Sequence, residues 1–192
     1  MSPAPARTSR DAVVAAARAL LEEGGLDAVT MATVAKRVGV RPASLYKHVR
    51  DRQGLISAVV EGAALELGAA LTSAGTEAGA DPRARAEALA HAYRGFAAQH
   101  PRVTALLFAD LGPVTSLGAE ASGRAAAPVL DVTTDLVGPA RALPAARVLV
   151  AFVHGFTSME AAGAFRLGGD IDAAFEMGVA LLAEGLAGPG AR

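Results

Sequence analysis

The residues with most capacity for chemistry in this 192-residue chain lie between Thr30 and Arg52, where Arg41, Ser44, Tyr46, Lys47 and His48 crowd into one short stretch. Up to Val60 the chain carries nine Lys/Arg against five Asp/Glu, a net charge of +4, while the remainder carries nine against fourteen, a net of −5. Both lysines, Lys36 and Lys47, belong to the first part. A basic head on an acidic body is equipped to hold a polyanion; the competing reading is chance asymmetry on solvated surfaces. Covalent chemistry is not indicated. With no Cys there is no disulfide framework, thiolate zinc site or thiol nucleophile, a composition that suits a reducing cytoplasm. The histidines, His48, His91, His100 and His154, are not paired four residues apart on a helix face. There is no GxSxG elbow, P-loop, dinucleotide glycine pattern or HExxH. No metal, no cofactor and no enzymatic activity are expected, although a small helical enzyme with a site assembled only in three dimensions is one alternative.

The elements that position these residues should be helices. Aromatics make up 4% of the chain and Trp is absent, whereas 47 residues are Ala, the best helix former and a poor strand former. We expect an all-α protein of about nine helices. Residues 1–8, Pro-rich and aperiodic, read as a disordered tail with no apolar signal core. Helix one spans about 9–23, capped by Thr8 or Ser9 and stopped at Gly24-Gly25. Thr30 caps helix two, about 31–38, which Gly39 ends, and Pro42 opens helix three, about 42–48. Asp51 caps helix four, about 52–72, and a loop follows from Ser73 to Ala80. Further helices are expected at about 82–99, 101–109, 119–137 (kinked or interrupted at Pro128), 144–165 and 171–186, with a turn-rich stretch at 110–118. The most apolar segment, Leu143 to Phe165, contains Arg147, His154 and Glu160, so it reads as a buried helix and not as a membrane span.

Spacing within the head is informative. In Met31-Ala-Thr-Val-Ala-Lys-Arg-Val-Gly-Val-Arg-Pro-Ala-Ser-Leu-Tyr-Lys-His, Ala35 supplies the small side chain that lets a following helix cross closely. Gly39 lies four residues on, where a positive φ is needed. Val34, Val38, Val40 and Leu45 are the positions that bury between the helices. Turn, pattern and charge together indicate a helix-turn-helix occupying 9–52, followed by a helical body over 53–192.

Residues 9–60 resemble the DNA-binding head of the TetR family of bacterial transcriptional regulators. The resemblance is carried by Leu26-Asp-Ala-Val-Thr-Met-Ala-Thr-Val-Ala-Lys-Arg-Val-Gly-Val and Ser44-Leu-Tyr-Lys-His-Val-Arg-Asp-Arg-Gln-Gly-Leu-Ile. The family's usual Phe after Tyr-x-His is Val49 here, and its usual Lys before the fourth helix is Arg52. The carboxyl part, with His154-Gly-Phe-Thr-Ser-Met-Glu and Gly163-Ala-Phe-Arg-Leu-Gly-Gly, resembles a WHG-like subgroup of TetR regulatory domains that often carries Trp where Val153 stands. The resemblance implies a regulator, acting as a repressor, that binds a palindromic double-stranded DNA operator as a homodimer and is modulated by a small-molecule effector. An all-α protein-interaction module without DNA binding is the other alternative.

On that reading helix three enters the major groove. Arg41, Ala43, Ser44 and Lys47 are candidates for base readout, an Arg to guanine O6 and N7 being worth about 1–3 kcal/mol of discrimination. Pro42 and Ala43 are placed to meet a thymine methyl. Tyr46 and His48 are assigned to phosphates, with packing in the core or capping as their other roles. Thr30 offers a hydroxyl and helix N–H groups to phosphate, and Arg52 adds charge. In the body, Ile171, Phe175, Val179, Leu182 and Leu186 form an apolar stripe, and Ala151, Gly155 and Ala162 form a small-residue face. Together they suggest a four-helix dimer interface, or alternatively the monomer's own core. Tyr93, Phe96, Phe108, Phe152, Phe156 and Met159 are candidate linings of an effector pocket, with His154 and His91 as its polar contacts.

Overall fold

The computed structural model describes residues 8–109 and 119–187, so the expected tail up to residue 7 and the turn-rich stretch 110–118 lie outside the described residues. Among the described residues there are nine α-helices, one short 3₁₀ turn and no strand. They form two compact units, 8–63 with 102–109 and 64–101 with 119–187. The division falls at Ala63, inside the fourth helix, later than the expected boundary at Arg52.

The first unit begins with α1 (Arg10–Gly24), where Ser9 Oγ accepts from the Ala12 N–H at 3.1 Å. Val13, Ala17 and Leu21 are its buried face, and Gly25 at φ +76° ends it. A 3₁₀ turn, Leu26–Ala28, precedes α2 (Met31–Val38). Thr30 and Thr33 cap α2 reciprocally: Thr30 Oγ1 accepts from Thr33 N–H, and Thr33 Oγ1 accepts from Thr30 N–H. Gly39 occupies the left-handed region at φ 74°, ψ 30°, a conformation that costs a side-chain-bearing residue roughly 1 kcal/mol or more. Helix α3 is shorter than expected, Pro42–Leu45, with Tyr46, Lys47 and His48 in the turn that follows. Leu45 and Val49 are buried and fasten this segment, whereas Val38 and Val40 are only half-buried. Asp51 accepts from Gly54 N–H at 2.7 Å and starts α4 (Arg52–Glu77). Helix α6 (Pro101–Leu106) closes the unit, ending earlier than the expected Ala109. The Glu22 carboxylate accepts from the backbone N–H groups of Arg102 and Val103, and Arg102 donates to the carbonyl of Glu22 at 2.9 Å.

The second unit contains the remainder of α4, α5 (Pro82–Gln99), α7 (Ala119–Val137), α8 (Pro139–Ala161) and α9 (Ile171–Ala187). Three sequence expectations are corrected here. Helix α4 continues through the expected loop to Glu77, because Leu71 and Gly75 are buried and tertiary packing outweighs weak local propensity. Helix α7 runs on through Pro128, so of the expected kink or interruption the interruption does not occur. Helix α8 starts at Pro139, five residues before Pro144, and stops at Ala161, where Gly163 at φ +62° turns the chain. Pro144 is tolerated inside it because it and Ala140, whose carbonyl it cannot serve, are exposed to water. Close crossings use glycine: a Cβ on Gly68 would stand 3.0 Å from Ala125 Cα, and one on Gly178 would stand 2.2 Å from the Phe152 ring.

Helices α4 and α8 are long and apolar enough to cross a membrane by length and composition alone. In this fold α4 buries Leu55, Val59, Val60, Leu67 and Leu71, and α8 buries Ala142, Ala145, Leu149 and Val153. The second also carries the exposed Arg141 and Arg147.

Candidate nucleic-acid interface and effector cavity

The α3 segment presents its chemistry outward. Arg41, the residue before the helix, is extended at φ −77°, ψ 144°, and Pro42 takes the first helical position. Arg41, Pro42, Ala43, Tyr46 and Lys47 are exposed, Ser44 and His48 are half-buried, and Leu45 points into the core at 0% exposure. Tyr46, at 58% exposure, is not a core residue. Thr30 keeps its place at the start of α2, with its hydroxyl 3.0 Å from Thr33 Oγ1. Since capping serves the N–H of Thr33, the first two N–H groups, of Met31 and Ala32, lack helical partners by geometry.

Arg52 departs from expectation. Its Nε donates to the Val29 carbonyl and its Nη2 to the Leu26 carbonyl, each at 2.6 Å. The guanidinium is a part-buried clasp on the segment that leads into α2, not a charge extended toward solvent. No local signal could have shown this, because the partners lie 23 and 26 residues away. Arg37, which by sequence alone belongs to a solvated face, forms a two-bonded pair with Glu23 at 3.0 and 2.6 Å that links α2 to α1. That pairing holds the Glu23 carboxyl below its ordinary range. Arg50 pairs with Asp51 at 3.0 Å. Arg41 and Lys47 are in no ion pair among the described residues, so their charge is available to a partner.

In the second unit most of the predicted effector residues are packing residues. Phe152, Phe156 and Phe175 form one cluster with ring centroids 5.1–6.1 Å apart, and Phe165 returns onto Phe156 at 4.8 Å. Phe96 is buried edge-on to His100. Met159 is exposed, and Phe108 is exposed and belongs to the first unit. The Tyr93 hydroxyl is hydrogen-bonded to His154 Nδ1 at 2.9 Å. Burial pushes the phenol pKa up and the imidazole pKa down, so the pair is neutral. His91 is exposed, 3.2 Å from Glu176, and edge-on to Phe175. Arg94, which sequence reasoning missed, bonds Glu160 of α8 at 2.5 and 3.0 Å and Asp172 of α9 at 2.6 Å, and lies over the Phe175 ring at 4.7 Å. These carboxylates raise its pKa further above its ordinary value.

A cleft of about 340 Å³ lies among α4, α5 and α7, lined by residues including Leu71, Thr72, Thr76, Arg85, Leu89, Asp131 and Val132. None of the predicted effector residues lines it. Tyr93 borders a neighbouring apolar void of about 20 Å³, close to the volume that one water needs.

The expected dimer stripe on α9 also divides. Phe175 and Val179 are at 0% and 1% exposure, buried in the chain's own core, and Ile171, Leu182 and Leu186 are half-buried. That stripe is the inward face of α9. The outward face carries Met177 and Leu181, at 65% and 63% exposure. On α8, Ala151 is exposed and Gly155 is half-buried, and Ala162, the residue just after the helix, is exposed; Val148 and Met159 share the face of Ala151 and Gly155, exposed and at compatible spacing.

Residues 13–59 match the family described as bacterial regulatory proteins, tetR family, and residues 86–182 match the tetracyclin repressor-like C-terminal domain. An uncharacterised HTH-type transcriptional regulator of Mycobacterium tuberculosis is 33% identical over 187 residues, covering 95% of this chain and 83% of that protein. A solved protein of unknown function from Rhodococcus sp. RHA1 superposes with a TM-score of 0.83 at 32% identity, covering 97% of this chain and 100% of the other. A variant of TetR from Acinetobacter baumannii AYE, solved in complex with minocycline, gives a TM-score of 0.68 at 24% identity, covering 93% of this chain and 96% of the other.

Proposed function

The chain belongs to the TetR family of bacterial transcriptional regulators, a family of DNA-binding proteins and not of enzymes, and from that membership we propose that it is a cytoplasmic repressor. In this reading it binds a palindromic operator as a homodimer and releases it when a small molecule occupies the second unit. The observation that carries the reading is the α3 segment: Arg41 and Lys47 stand exposed, outside any ion pair among the described residues, on a short helix and its following turn that Leu45 and Val49 anchor from behind. Arg41, Ala43, Ser44 and Lys47 face base edges, with Pro42 beside them. Tyr46, His48 and the start of α2 at Thr30 hold phosphates. So short a helix spans only a few base pairs, so specificity needs two heads about 34–36 Å apart. The second copy docks on the outward faces of α8 and α9, around Val148, Ala151, Gly155, Met159, Met177 and Leu181, where burial of exposed apolar surface drives association.

Helix α4 is the proposed transmission element, since it supplies residues to both units. An effector that favours one arrangement of the second unit shifts the population of α4 positions and hence the separation of the two recognition helices. The test is a set of binding titrations on operator fragments defined by footprinting. Arg41→Ala should relax preference at one base pair per half-site by about 1–3 kcal/mol. Lys47→Ala should relax preference at a neighbouring base pair; a uniform weakening with the salt slope reduced by roughly one would instead assign Lys47 to a phosphate. Unchanged binding by both variants refutes the assignment.

A further inference from the structure

The cleft among α4, α5 and α7 is lined by the oxygen-bearing side chains of Thr72, Thr76 and Asp131, with Arg85 as its charged donor. Thr72 Oγ1 donates its proton back to the Gly68 carbonyl at 2.9 Å, and Thr76 Oγ1 donates to the Thr72 carbonyl at 2.8 Å. Both hydroxyls therefore turn lone pairs, not protons, toward the space. Arg85 is the one cation among the lining residues, and Asp135 holds its Nη1 at 2.5 Å. Asp131 also lines the cleft and is in no ion pair among the described residues, so its carboxylate oxygens are open to a ligand there. The carbonyl-bearing end of α4, through Gly75 and Thr76 to Gly79, borders the same space and adds a partial negative charge. The opposing positive end of α5 is already served by Asp81, whose carboxylate accepts from Arg83 N–H. Apolar walls come from Leu71, Leu89 and Val132. The volume, about 340 Å³, is at the lower end of the ordinary range for small-molecule sites, roughly 300–1,000 Å³.

We propose that this cleft takes an amphipathic organic cation, with its ammonium or amidinium group at Asp131 and the Thr72 and Thr76 hydroxyl oxygens, and its apolar body against Leu71, Leu89 and Val132. As the identity of the effector, this rests on the regulator reading above; as a statement of which ligands the cleft selects, it does not. Two ions with the same apolar body and opposite charge, 1-naphthylmethylammonium and 1-naphthylacetate, separate charge recognition from simple apolar burial.

The experiment is calorimetric titration of the full chain with each ion, with methyl NMR shifts to place the bound molecule. The ammonium should bind on the order of tenfold more tightly than the acetate, as one carboxylate at a partly solvated site attracts the first and repels the second. Shifts should concentrate at Leu71, Leu89 and Val132. Asp131→Asn should bring the two affinities together, and Asp131→Lys should reverse their order; the side chain is exposed, so circular dichroism should show both variants folded. Equal or tighter binding of the acetate, no binding of the ammonium, shifts elsewhere, or a preference that survives Asp131→Asn each overturns the proposal. Operator affinity is measured in parallel. If the ammonium occupies the cleft and operator affinity does not change, its role as effector falls while the cleft's selectivity stands. If the selectivity fails while specific operator binding persists, the regulator reading stands without this ligand class.

Discussion

Replacing Arg52 by methionine removes the guanidinium while keeping an unbranched apolar stem. The wild-type group donates to two carbonyls, of Leu26 and Val29, at 2.6 Å each. Hydrogen bonds from a charged donor contribute about 1.5–3 kcal/mol apiece. Arg52 is only half-buried, and water can reach the orphaned carbonyls, so the lower end applies. The loss for the pair is then about 2–3 kcal/mol, which for a chain of this size lowers Tm by about 4–12 °C. Thermal and urea unfolding followed by circular dichroism measure that loss. The same variant separates the clasp from the phosphate contact expected on charge alone. A phosphate ligand, when removed, reduces the salt slope of operator binding by about one and barely changes stability. A clasp does the reverse: stability falls, and the salt slope, measured well below the variant's Tm, is that of the wild type. A variant with wild-type Tm and a reduced slope would falsify the structural role argued for Arg52.

Three further outcomes concern packing, burial and exposure. Gly178→Ala should destabilise the chain despite alanine's helix propensity, because the added Cβ would lie 2.2 and 2.7 Å from Phe152 ring atoms. Overpacking of about 1–3 kcal/mol exceeds the propensity gain of about 1 kcal/mol, and Phe152→Leu in the same chain should restore part of the loss in urea midpoints. For His154, burial lowers the folded-state pKa below the ordinary value of 6.5, so as pH falls below about 6.5 the unfolded chain takes up the proton first. Its contribution to stability is therefore intact above that pH and declines as pH drops toward the folded-state value; His154→Gln should flatten this part of a pH series of unfolding midpoints, and an unchanged slope would count against burial as the cause. Leu181→Glu, on an exposed face, should leave the helix content intact but shift light-scattering mass from dimer to monomer and weaken operator binding; a dimer that persists moves the interface away from α9.

Much of the head was legible because its signals are local. A cap acts over three residues, a left-handed glycine acts at its own position, and a proline at the first helical position costs nothing there; these suffice for Thr30, Gly39 and Pro42. The alanine-rich composition likewise determined an all-helical chain, and the family resemblance covered both units. Tertiary structure decided what depends on partners distant in sequence. Helix α9 is apolar on both sides, so periodicity could not tell its inward Phe175 and Val179 from its outward Met177 and Leu181. Arg52 looked like any basic residue until the fold brought two carbonyls to it. The aromatic residues suited a pocket by type, whereas the cleft among α4, α5 and α7 is lined by Thr72, Thr76 and Asp131; a cleft depends on how three helices pack, and no single helix encodes that.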